Sequence, residues 1–256
     1  MSDLWSVFPP GARFQPGSAL ARPLDLRLAS NRFAVLGAVA VLLGARGLGR
    51  PWRESLEAGG TAFLAWSTAR ELDPDHPGSA ATALSLAALP ALTGGSGHIW
   101  TGVGVLSGLR LLAGTVGRDP QPVDLAALGL QAALASASGE RIAGLLPALS
   151  SGLIPGPSLP WGAAGLLVPG QQRGAGTSLV SALLALGALA VAFPLTAPEA
   201  VQARCDHPPR TIQARRVQRA RQAAVLTLLG GLVSGQSRSL IPLAAAALAV
   251  GWRRQG

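Results

Sequence analysis

The chain has 256 residues, of which 49% are apolar and 13% charged, with a net charge of +9; that charged fraction is about half of what an ordinary soluble domain carries. All 21 basic residues are arginine, so a Walker A phosphate loop and Schiff-base catalysis, which both need lysine, are excluded. The single Cys205 excludes an intrachain disulfide and any CxxC or four-thiolate centre.

Residues 1–31 carry Pro9, Pro10, Pro16 and Pro23 and have no basic n-region, so they read as a cytoplasmic or interfacial lead-in rather than a signal peptide. Trp5, Phe8 and Phe14 suit the headgroup level of a bilayer. From there the chain alternates apolar runs with short arginine-bearing breaks. Residues 77–109, 142–172 and 174–198 hold no Asp, Glu, Lys or Arg, and about 18 or more apolar residues suffice for a membrane span. The expected helices are 32–49, 54–72, 78–94, 98–117, 123–138, 141–155, 159–169, 175–198, 221–236 and 238–252. Segment 159–169 is short enough for a re-entrant turn, and 54–72, the most polar, is open to lying flat in the interface. The fold class that follows is all-α, a polytopic transmembrane bundle of about eight to ten short helices arranged as hairpins. Residues 32–256 form one such domain, with a basic cytoplasmic loop at 199–220.

With both termini cytoplasmic, most arginines fall on the inside, as the positive-inside rule requires. Arg46, Arg50 and Arg53 are the exception. The lack of lysine and tyrosine, with Asn31 the sole asparagine, matches a GC-rich bacterial genome and hence a bacterial inner membrane. Asp73-Pro74-Asp75-His76-Pro77 before one run and Asp119-Pro120-Gln121-Pro122 before another form a weak internal echo. Gly104 with Gly108, and Gly231 with Gly235, have the four-residue spacing that lets helices approach, within the chain or in a homo-oligomer.

Three sets of residues carry candidate chemistry. Glu54, Glu57, Thr61, Thr68 and Glu71 fall near one face of a helix, a transport stripe if that helix spans. Arg110, about 12 Å deeper than Arg118 on its helix, either snorkels or pairs with Glu71 or Asp73. Asp73, Asp75 and His76, with Cys205, Asp206 and His207, offer two Asp-His-Pro loops for a divalent metal; the alternative is helix capping by Asp and Pro with no metal. No other cofactor is expected. Arg204, Arg210, Arg215, Arg216, Arg219 and Arg221 form a basic segment for anionic lipid headgroups or an acidic partner. Scattered arginines beside apolar runs do not make the one-faced footprint of a nucleic-acid binder. His98 opens a helix after Gly94-Gly95-Ser96-Gly97.

The sequence therefore points to an integral membrane protein with a leaning toward small-molecule or ion transport. A membrane enzyme acting on lipid headgroups through an Asp/His site, and a non-catalytic scaffold, stay open.

Overall fold

The computed structural model describes residues 17–93, 97–152, 164–170, 176–206 and 210–255. Among them there are helices and no strand, only an isolated antiparallel bridge between Arg204 and Thr211. In chain order the helices are α1 (Ala29–Gly47), α2 (Trp52–Leu72), α3 (Pro77–Leu92), α4 (Ile99–Ala113), α5 (Pro122–Ala137) and α6 (Arg141–Gly152). After these come α7 (Leu179–Ala190), α8 (Ala192–Thr196), α9 (Ala214–Val233) and α10 (Ile241–Arg253).

Local chemistry fixes the ends. α3, α5 and α10 each carry proline in the first turn, where its missing N–H is no loss. Asp124 closes a capping box on α5 by accepting from the Gln121 backbone N–H. Arginines close several C-termini by donating to carbonyls that no helical N–H reaches. Arg50 donates to Ala91 and Leu92 at the end of α3, and Arg216 to Leu111 and Leu112 at the end of α4.

α2 and α10 sit at the centre. Along α2, Ala58, Ala62, Ala65 and Ala69 are fully buried, a one-face spacing of small residues that brings neighbours close. A Cβ on Gly59 would lie 2.8 Å from the Ala38 carbonyl oxygen, so α1 and α2 meet nearly backbone to backbone. α10 is buried on nearly every side, as an all-round apolar helix should be. α1, α3 and α7 pack around this pair, and α4, α5, α6 and α9 form a second group joined to it through α2 and α4.

The central place of α2 overturns the flat, interfacial alternative for 54–72: Ala58 to Ala69 is nearly all buried against α1, α3, α4 and α10. Two boundaries differ from expectation as well. The 175–198 run breaks at Val191 into α7 and α8. The 199–220 loop ends early, because α9 begins at Ala214 and takes Arg215, Arg216 and Arg219 into its first two turns. Residues 159–163 of the 159–169 segment lie outside the described residues; of the rest, 164–166 form a short helical turn.

Only α1 among the described helices is both long and apolar enough to cross a membrane; α3, α4, α5, α7 and α10 are apolar but shorter. Large apolar side chains stand exposed on many helices, among them Leu36 on α1, Leu130 on α5, Leu183 on α7 and Leu226 on α9.

Candidate functional site

Four connecting segments meet at one end of the bundle. The strap before α1 reaches α5 through the Ala19 N–H and the Ser18 hydroxyl, both donating to Asp124. The Asp206 N–H donates to the Thr115 carbonyl, and the Cys205 thiol to that of Gly114. Asp75 accepts the backbone N–H groups of Gln202 and Ala203. Two buried carboxylates organise this end, one on either side of the last residue of α2.

Glu71 is fully buried, and a carboxylate there has to be paired. The Arg110 Nε donates to its Oε1 at 2.8 Å, the Thr115 hydroxyl donates to its Oε2, and the Arg22 Nη1 lies 3.8 Å away. Arg22 also reaches Asp206, with Nε 2.8 Å from Oδ2. Arg110 donates again, from Nη1 to the Leu20 carbonyl at 2.6 Å. The strap is thus clipped to α2, α4 and the 206 region by two arginines.

Asp73, 1% exposed, takes a two-pronged contact from Arg253, Nε to Oδ2 at 2.8 Å and Nη2 to Oδ1 at 3.1 Å. Its carboxylate also accepts from the Ser79 hydroxyl and lies 3.0 Å from His76 Nδ1. Arg221, 2% exposed, donates from Nε to the Leu72 carbonyl at 2.7 Å and from Nη2 to Glu199 at 2.8 Å. Arg253 and Arg254 also contact Glu199. Partial burial works against the ionised form of Glu199, but hydrogen bonds from Arg253 and Arg221 outweigh it and hold its carboxyl below the ordinary value.

Two cavities adjoin the network. One, of about 420 Å³, lies between the strap, α2 and α4, with Phe63, Trp66, Leu24, Leu28 and Leu106 as apolar wall and Arg22, Arg70, Glu71 and Arg110 as polar wall. The other, more open and about 540 Å³, is lined by Asp75, His76, Ser79, Thr82, Trp252 and Arg253.

The residues singled out in the sequence separate into distinct environments. Arg110 and Glu71 come together. Glu54 is exposed at the far end of α2, and Glu57 there lies 3.5 Å from Arg53 and 3.8 Å from His98. Thr61 and Thr68 are buried between the two ends, and the Thr68 hydroxyl has no hydrogen-bond partner among the described residues. The proposed metal ligands are engaged elsewhere: Asp73 by Arg253, Asp75 by backbone N–H groups, Asp206 by Arg22 and Cys205 by a carbonyl. His207 lies outside the described residues. Among those described, no three or more His, Cys, Asp or Glu converge on one point. Of the basic segment, Arg216 and Arg221 turn inward, while Arg204, Arg210, Arg215 and Arg219 are exposed. Gly104 and Gly108 face α5 and α6 of the same chain. Gly235 lies beyond α9 with φ +71°.

Arg22, Arg70, Glu199 and Arg253 did not stand out in the sequence. A usable signal was present: two carboxylates at the end of α2, in a chain whose cations are all arginine, demand arginine partners. Comparisons with protein-family models, curated proteins and solved structures find no match.

Proposed function

We propose that the chain is a multi-pass protein of a bacterial cell membrane, with its ion-paired end cytoplasmic, that carries a small molecule through the smaller cavity. The exposed leucines, valines and phenylalanines spread over α1, α5, α7, α8 and α9 support the membrane part, because soluble monomers rarely expose contiguous apolar patches beyond a few hundred Å². Helices of 15 or 16 residues reach only about 23 Å at 1.5 Å per residue. A bilayer accommodates such lengths by thinning and by snorkelling of flanking arginines.

The cavity beside Glu71 carries the carrier reading. It is walled by one apolar and one charged side, and the strap that borders it is held by exchangeable contacts, Arg22 with Asp206 and Arg110 with the Leu20 carbonyl. A ligand that competes for those arginines would shift the strap between two arrangements. Glu71, the buried carboxylate of this cavity, is already engaged by Arg110 and Thr115, which suits a positioning role.

The test combines two measurements. Alkaline carbonate should leave the chain in the membrane pellet; release into the supernatant would end the membrane reading. A Ser67→Cys variant on a Cys205→Ser background should then react with an impermeant maleimide added from either side of sealed vesicles. Labelling from one side alone would rule out a carrier. The enzyme reading would then gain ground, favoured by the Asp73–His76 pair, which leaves the second imidazole nitrogen available in the more open cavity.

A further inference from the structure

Three arginines line the smaller cavity, and they differ in what they already hold. Arg110 is bonded to Glu71 and the Leu20 carbonyl, and Arg22 to Asp206. Arg70, half-buried in the last turn of α2, has no hydrogen bond or ion pair with any described residue, although Glu71 follows it directly. A guanidinium presents five N–H donors in a planar fork; Glu71, Asp206 and Asp73 attract that of Arg70 at longer range and Arg22 repels it, but among the described residues no acceptor engages its donors. The rest of the lining is mixed. Asp25 and Asp206 add carboxylates, while Phe63 and Trp66, two turns and one turn before Arg70 with ring centroids 5.7 Å apart, form an apolar surface with Leu24, Leu28 and Leu106.

We propose that this cavity binds an anionic amphiphile, with a phosphate or carboxylate head on the Arg70 fork and an apolar chain against Phe63 and Trp66. The proposal rests on the carrier reading for its biological sense and on the cavity alone for its chemistry. Arg22 stands beside Arg70 and can add a second cation to the head if it releases Asp206. An uncharged amphiphile would leave Arg70 unpaired, and a bare anion would leave the aromatic wall uncovered. The same head-and-tail chemistry is offered by a soluble alkyl phosphate and by an anionic bilayer lipid.

Purified full-length chain in a non-ionic detergent, titrated with dodecyl phosphate and followed by thermal shift, tests the site. Saturable stabilisation is expected, with apparent affinity falling at least about tenfold in Arg70→Gln, the scale of a lost charge-assisted hydrogen-bond pair. Arg70→Lys should fall between the two, and Arg141→Gln, at an exposed arginine that opens α6 away from the cavity, should match wild type. Dodecanol should not stabilise the chain, and inorganic phosphate should bind far more weakly than dodecyl phosphate. Equal binding by Arg70→Gln, or by Arg70→Lys if the glutamine variant does not fold, overturns the proposal. So does inorganic phosphate binding as tightly as its alkyl ester. Nanodiscs of phosphatidylglycerol against phosphatidylcholine identify the source. An Arg70-dependent gain in the former alone assigns the site to bilayer lipid, and none assigns it to a soluble ligand. Binding is read without flux, so one-sided maleimide labelling would remove the carrier and leave this site standing.

Discussion

Glu71 illustrates what a buried charge demands. Its carboxylate is held by Arg110, Thr115 and, at longer range, Arg22. The pair need not add net stability over an apolar replacement, but breaking it leaves an uncompensated buried charge. Glu71→Gln is therefore expected to cost roughly 3–5 kcal/mol in an unfolding titration, while Glu71→Leu with Arg110→Met should recover much of that loss. A double variant no better than the single one would show that the two side chains act separately. This pair was within reach of the sequence, because depth along α4 placed Arg110 near the end of α2. The Asp73 partners were not: Arg221 and Arg253 are ordinary cations near helix ends until the fold brings them to the same carboxylate. The metal reading of Asp73 and Asp75 assumed free carboxylates, and a protein rich in arginine and poor in acids leaves few of those.

At the scale of elements, α2 misled because its polarity was averaged. Its charged residues cluster at the two ends, and the middle, Ala58 to Ala69, is made mostly of Ala, Gly, Ser and Thr that allow close packing. Mean hydropathy sees a polar helix; position by position, it is the centre of the bundle. The break between α7 and α8 had no such signal, since Val191 lies inside a continuous apolar run. The Gly104 and Gly108 pair can be weighed by its neighbours. A Cβ on Gly108 would come within 2.9 Å of the Leu146 backbone on α6, whereas one on Gly104 would meet only side chains at 3.4 Å or more. Gly108→Ala should therefore destabilise by about 1–3 kcal/mol through overpacking, and Gly104→Ala should stay close to wild type in the same thermal melt. Equal effects would mean that α4 and α6 do not meet at Leu146.

For the whole molecule, the chain connections are tied by hydrogen bonds: Asp75 accepts the Gln202 and Ala203 N–H groups, and the Asp206 N–H donates to the Thr115 carbonyl, so the segments after α2 and α4 meet the one before α9. Arg46, Arg50 and Arg53, the exceptions to the expected charge count, have local duties: Arg50 closes α3, Arg46 lies over Trp52 at 5.3 Å, and Arg53 pairs with Glu57. A topology rule that counts charges cannot separate these from arginines facing a headgroup. The Glu199 contacts join α9 to α10 at the ion-paired end. Because folding lowers the Glu199 pKa, its contribution is present above the ordinary carboxylate value of about 4.3 and is lost as pH falls through the lower folded value. Melting temperature should drop across that acid window, and Glu199→Gln should flatten the drop; an unchanged slope would remove Glu199 as its source. The order of synthesis adds one more consequence. Asp73 meets Arg253 across 180 residues, so it leaves the ribosome long before its counter-ion and must be carried by water or other arginines until α10 arrives. Nascent chains arrested before residue 253 should therefore be more open to quality-control proteolysis than chains that extend through α10.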